Sequence, residues 1–297
     1  MRMRSFVMAT LLAASAAQAQ QPTRPRSPDE IVVQGTRDRD RQVSQFVDSL
    51  TQAPVGGQLS RFDSAVCPAA LGLPDYQNKA IVERIRKVAI EAGLRVAKAN
   101  CQPNAYLIVA ADKNDFLKAL YKKRPDFFLD ENGWPRRPML DDRAVSAWQV
   151  EGMLDANGVP VSNAVVDGRP MGFRMVASTD SSRLRPASRP TFTAGFVVIE
   201  MKALVGITTT QLADYAAMRI FTRSDPKQLE KSSAPTILKL LDTPIGGAAP
   251  ITLTAWDLSF LKGLYSSEAR QYANRQRSQI RQSVRRDLAQ SEQPRER

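Results

Sequence analysis

The stretch from Thr191 to Ala203 constrains the fold most. Phe192, Phe196, Val197, Val198, Ile199 and Met201 cover both faces of a predicted strand, and such a strand needs sheet neighbours on each side and a layer above and below. It leads into the best-specified helix of the chain. Thr208-x-x-Gln211 forms a capping box, with Ile207 and Leu212 as its hydrophobic staple. Leu212, Ala216 and Ile220, flanked by Ala213, Ala217 and Phe221, make a wide apolar stripe. A strand covered on both faces and a helix with one broad apolar side predict an α+β fold, a mixed sheet with packed helices.

The preceding half supplies the other layers. Val43, Phe46, Val47 and Leu50 have helical spacing. A longer helix follows Pro74, with Asp75 as expected N-cap and Gly93 as its stop. It buries Ile81, Ile85, Val88, Ala89 and Ala92 and turns Arg84, Arg86 and Lys87 outward. Ala105 to Ala110 reads as a buried strand. Asp115 is expected to cap a helix with Phe116, Leu117, Leu120 and Tyr121 on one face, ended by Pro125. Cys67 and Cys101 are the only cysteines, and a disulfide between them would staple this helix–strand–helix part.

From Asp126 to Pro190 the chain is loop-rich, with turn signals at Asn132-Gly133, Asn157-Gly158 and Asp167-Gly168. Strands are expected at Val145–Met153 and Met171–Ala177. Arg136, Arg137, Arg183, Arg185 and Arg189 stand in this region and could fork onto a phosphate or carboxylate; solvated loop charge is the competing reading.

The ends read differently. Arg2 and Arg4, an apolar run from Phe6 to Ala17 and the small-x-small Ala17-Gln18-Ala19 predict a signal peptide over residues 1–19, hence a periplasmic or secreted protein. Residues 20–42 have the composition of a flexible linker. Within it Asp29 to Gly35, Asp-Glu-Ile-Val-Val-Gln-Gly, resembles the TonB box of TonB-dependent outer-membrane receptors, with Gln34 where threonine is usual. That resemblance implies an extended segment open to strand pairing in a Gram-negative envelope; a strand within this protein or a disordered arm competes with it. A single globular domain is expected over 43–265, its parts 43–125 and 140–265. Residues 266–297 read as a basic tail, a marginal helix with only Ile280, Val284 and Leu288 as an apolar stripe, either solvated or in touch with anionic surfaces. The net charge of +12 permits polyanion binding, but no nucleic-acid motif accompanies it, so no nucleic-acid partner is expected.

The chain has no histidine. That excludes Ser-His-Asp and Cys-His catalysis and the H-E-x-x-H zinc site. Glycine-rich phosphate loops are absent from the sequence too, and no metal or cofactor is expected.

The helix Leu212-Ala-Asp-Tyr-Ala-Ala-Met-Arg219 nevertheless resembles the active-site helix of zincin metallopeptidases with its ligands replaced. Asp214 stands at the first histidine, Tyr215 at the general-base glutamate and Met218 at the second histidine. Pro235-Thr-Ile-Leu238 resembles the metzincin Met-turn, and Leu253-Thr-Ala-Trp-Asp257 through Leu264-Tyr265 resembles the closing helix. The same helix is similar to that of uncharacterised exported bacterial proteins. The resemblance implies a zincin-like C-terminal half and a cleft, lined by Asp214, Tyr215 and Met218, that binds a peptide or protein partner without cutting it. An ordinary helix packed on a sheet competes with that reading. So do a hydrolase using Asp214 and Asp257 as an acid/base pair and an adaptor of the envelope TonB system. Asp257 is equally placed to serve as the cap partner of Thr254.

Overall fold

The computed structural model describes residues 28–51, 57–129, 134–161, 163–166, 169–174, 185–224, 226–244 and 247–292; side chains are described over these except at 28–37, 163–174, 226 and 292. The chain divides into a unit through Asp38 and a compact unit, Arg39–Arg297, which holds the core. The elements run α1 (Pro28–Ser49), β1 (Pro68–Leu71), α2 (Asp75–Glu91), β2 (Ala105–Ala110), α3 (Lys113–Lys123) and β3 (Val145–Asp155). A hairpin of β4 (Asn163–Val166) and β5 (Arg169–Arg174) follows, then β6 (Ser188–Glu200) and α4 (Thr209–Phe221). The last are α5 (Pro226–Leu229), α6 (Ala255–Ser266) and α7 (Ala273–Glu292).

The main sheet has the order β1-β2-β6-β3. β1, β2 and β6 are parallel, and β3 is antiparallel to β6. This is the expected α+β architecture, and β6 is the central strand that its apolar faces demanded. One face of the sheet carries Leu107, Val109, Val197 and Ile199 into a core shared with α2, α4, α6 and α7. The other face carries Ile108, Ala110 and Val198 against α3 and the 3-10 turn Pro125–Phe128. On that second face Tyr106, Phe196 and Trp148 are direct cross-strand neighbours. Their rings stack at 4.7 and 4.9 Å, a row that ties three strands together.

The disulfide joins Cys67 to Cys101, with Cα atoms 6.0 Å apart. It holds the entry of β1 to the loop before β2, where Asn104 Oδ1 accepts from the Cys67 amide and its Nδ2 donates to Ala65. Both capping boxes form, Thr208 with Gln211 and Thr254 with Asp257. No described helix is long and apolar enough to cross a membrane.

Several expectations need correction. Asp29 to Gly35 is neither extended nor an irregular arm: its backbone belongs to α1, where Pro28 at the first position and the acids after it suit a helix start. Two caps lie elsewhere. Pro74, not Asp75, occupies the cap position of α2, and Asp112 caps α3 by accepting from the Asp115 amide. Arg84 turns inward, and Arg86 donates to the Ala97 carbonyl. The tail is no marginal helix. Ile280, Val284 and Leu288 are buried, because α6 offers Gly263, over which the α7 backbone at Ile280 passes at 3.2 Å from where a Cβ would stand. Arg277, Arg281 and Arg285 reach back to Thr51, Asp48 and Asp40, so part of the tail's charge is engaged within the domain. The expected signal peptide, Arg183 and the turns at 132–133 and 167–168 lie outside the described residues.

Candidate functional site

On α4 nearly every residue is buried, because β6 lies on one side, α2 on another and α6 and the turn Ile237–Asp242 close the rest. Asp214, at 0 % exposure, is therefore a structural carboxylate. Its Oδ1 accepts from Arg84 Nε at 2.6 Å, and its Oδ2 accepts from Arg84 Nη2 at 3.0 Å, Thr252 Oγ1 at 2.7 Å and the Leu253 amide at 2.7 Å. Arg84 Nη2 also donates to Thr252 Oγ1 at 3.0 Å. The bond to Asp214 raises the arginine's already high pKa against the opposing pull of burial. Met218 is wholly enclosed. Tyr215 is buried too, and burial raises its hydroxyl pKa against the pull of Arg219. These three residues do not line a cleft; the apolar stripe of α4 is wider than its sequence spacing suggested.

Asp257 is likewise enclosed. It accepts from Thr236 Oγ1 at 2.5 Å, the Ile237 amide at 2.9 Å, the Thr254 amide at 3.0 Å and Thr254 Oγ1 at 2.7 Å. Burial pushes its carboxyl up, against those donors. With both carboxylates in the interior and fully engaged, Asp214 and Asp257 make no solvent-facing acid/base pair.

An open groove lies next to α4, along β3. Among the described residues that strand pairs with β6 on one side only. Its far end is closed by the Val161 amide donating to Met153 and by the Leu154–Pro160 bridge. Over residues 145–151 a groove of about 380 Å³ runs beside it. Leu117, Phe128 and Leu129 close one wall, Arg136 to Met139, Asp141 and Arg143 form the lip, and Arg219, Arg223 and Ser224 form the floor.

Each wall is fixed by a named interaction. Gln149 Nε2 donates to the carbonyls of Arg219 at 2.6 Å and Thr222 at 2.9 Å, so β3 caps the C-terminal end of α4. Trp148, facing the other way, donates from Nε1 to Phe127 O at 2.7 Å. Lys113, at 0 % exposure, donates to Asp141 Oδ1 at 2.6 Å, and Arg143 reaches Asp141 Oδ2 at 2.6 Å. Burial alone would raise the Asp141 carboxyl, but these two cations hold it below its ordinary value. The Arg136 amide donates to Phe128 O at 2.9 Å, which docks the lip on the 3-10 turn.

Among the described residues, five arginines, Arg136, Arg137, Arg143, Arg219 and Arg223, line the groove with two carboxylates, Asp141 and Glu151. Glu151 is engaged by Arg223 at 3.1 Å. Arg219 Nη1 donates to Ser224 Oγ at 2.8 Å, while its Nε is buried with no partner among the described residues. Of the arginines singled out in the sequence, Arg136 and Arg137 join this groove. Arg185 is exposed elsewhere, and Arg189 serves Asp63 at 3.4 Å and the Asp155 carbonyl at 3.1 Å. Arg143, Arg219 and Arg223 were missed. The available signal was Arg219 itself, the one half-exposed residue in the apolar second half of the best-specified helix.

Among the described residues no three His, Cys, Asp or Glu side chains gather as metal ligands would. No family model, curated protein or solved structure matches the chain. The groove therefore speaks through its chemistry: a strand edge with no partner strand among the described residues, which offers backbone donors and acceptors, beside guanidinium forks, which suit carboxylates.

Proposed function

We propose that this is an exported, non-catalytic binding protein that holds an extended peptide, or an extended segment of a protein partner, along the open edge of β3. One observation carries the reading: a groove runs beside a strand edge that has no partner strand among the described residues, and the polar residues of α4 nearest the zincin pattern are locked in the core. An added strand would complete the ladder of β3 with main-chain hydrogen bonds, the mode by which exposed sheet edges take up peptides.

An antiparallel edge strand above a helix that follows the central strand is the plan that the zincin resemblance implies. The replaced ligands Asp214, Tyr215 and Met218 support capture without cleavage. The disulfide suits an oxidising compartment, which supports export to the periplasm or beyond. Amide hydrogen exchange tests the proposal. Added peptide ligand should slow exchange over residues 145–151 and leave β1, the opposite edge, unchanged. Zinc bound in stoichiometric amount to the purified protein would overturn the non-catalytic reading.

A further inference from the structure

The groove's charge names its occupant more narrowly. We infer that the segment held along β3 is acidic, an extended strand whose carboxylates meet Arg219 and Arg223 on the α4 side and Arg137 on the lip. The inference rests on the strand-addition reading above and deepens it.

Strand alternation sends successive side chains of an added chain to opposite sides, and β3 itself shows where those sides lead. Gln149 reaches the end of α4, and Trp148 reaches the 3-10 turn. An occupant aligned on β3 would thus present every second side chain to Arg219 and Arg223, and the others toward the lip. Arg223 and Arg137 are exposed, and the Nε of Arg219 is buried without a partner among the described residues. A carboxylate is the acceptor that exposed guanidinium forks such as Arg137 and Arg223 pair with most strongly. Asp141 is shared by Lys113 and Arg143, and Glu151 takes only the Nη1 of Arg223, so neither carboxylate answers Arg137 or Arg219. A basic occupant would meet those two guanidinium groups as repulsion.

The test uses the full chain and three fluorescent decapeptides in which valine alternates with glutamate, glutamine or lysine. Binding is read by anisotropy and by exchange over 145–151. The glutamate peptide should bind about tenfold or more tighter than the glutamine peptide, lose that margin at high salt, and slow exchange along β3. Arg137→Gln, at an exposed position, should shrink the margin without changing the melting temperature, and Arg223→Gln should shrink it with only the small drop in melting temperature that losing its bond to Glu151 brings. Equal binding of the glutamate and glutamine peptides, with β3 protected, would overturn the acidic preference and leave strand addition standing. No binding by any peptide and no protection would overturn both. If a single-stranded oligodeoxynucleotide displaced the glutamate peptide at equal concentration, the groove would be a general polyanion site and the peptide inference would fall.

Discussion

Arg84 on α2 and Asp214 on α4 meet in a two-pronged ion pair, Nε to Oδ1 at 2.6 Å and Nη2 to Oδ2 at 3.0 Å. The carboxylate is wholly buried, and the arginine side chain is 24 % exposed. At the place where the zincin resemblance puts a metal ligand, the helix carries a strut between two helices. Thr252 and the Leu253 amide extend that strut to the segment that starts α6.

Removing one member of such a pair strands the other. Arg84→Met should cost roughly 3–5 kcal/mol of folding free energy, the range for breaking a buried pair, read as a lowered urea midpoint with an unchanged slope. The double variant Arg84→Met, Asp214→Leu should recover part of the loss, since no uncompensated charge remains. A loss below about 1 kcal/mol, typical of exposed pairs, would show that the strut is not holding the helices.

The second prediction separates a docked α7 from a frayed tail. Ile280 is fully enclosed against α6, so Ile280→Ala should destabilise the domain by about 2–5 kcal/mol. A frayed tail would give no measurable change in a thermal melt. Truncation before Ala273 should expose the α6 face and reduce solubility.

These two sites mark what the sequence could and could not disclose. β2, β6 and the capping boxes of α4 and α6 were legible because periodicity and cap chemistry are local. The disulfide was legible because two cysteines allow one pairing. The partner of Asp214 lies 130 residues away, and no local rule points across that distance. The stripe of α7 is thin by itself; only the glycine on α6 makes it deep enough to bury. The groove is assembled from the lip, β3 and the end of α4, so Arg136 and Arg137 looked like loop charge until Arg219 and Arg223 stood opposite.

Reduction of the disulfide should matter thermodynamically. Cys67 and Cys101 are 34 residues apart, and the chain-entropy model assigns a loop of that size about 3–4 kcal/mol. The Cys67→Ser, Cys101→Ser variant should therefore melt well below the oxidised protein, and a reductant should bring the wild type down to meet it.

The Asp141 carboxylate predicts a pH dependence of known sign. Its folded pKa is held below the ordinary value by Lys113 and Arg143, against burial. The stabilisation it provides is therefore present above its unfolded pKa of about 3.9 and is lost as pH falls through the lower folded value. Wild type should lose stability below about pH 4 more steeply than Asp141→Asn. Near neutral pH the variant should be the weaker of the two, because it leaves the buried ammonium of Lys113 without its counter-charge. Urea midpoints measured across that range check both halves.

Gly195 links the fold to the groove. A Cβ there would stand 2.9 Å from Ile220 Cγ2 and 3.1 Å from the Ile220 carbonyl oxygen, so α4 can lie on β6 only because position 195 has no side chain. Gly195→Ala should destabilise the domain by about 1–3 kcal/mol, as overpacking does. The displaced part would be the last turn of α4, whose carbonyls Gln149 caps and which carries Arg219 to the groove floor. The same variant should therefore weaken acidic-peptide binding beyond what its melting temperature explains, whereas Ile280→Ala, far from the groove wall, should lower stability and leave that affinity intact. Adding Ile220→Ala should relieve the side-chain clash but not the carbonyl contact, restoring stability only in part. Full recovery of both readouts by that second change would place the strain in the side chain alone and uncouple the groove from the helix backbone.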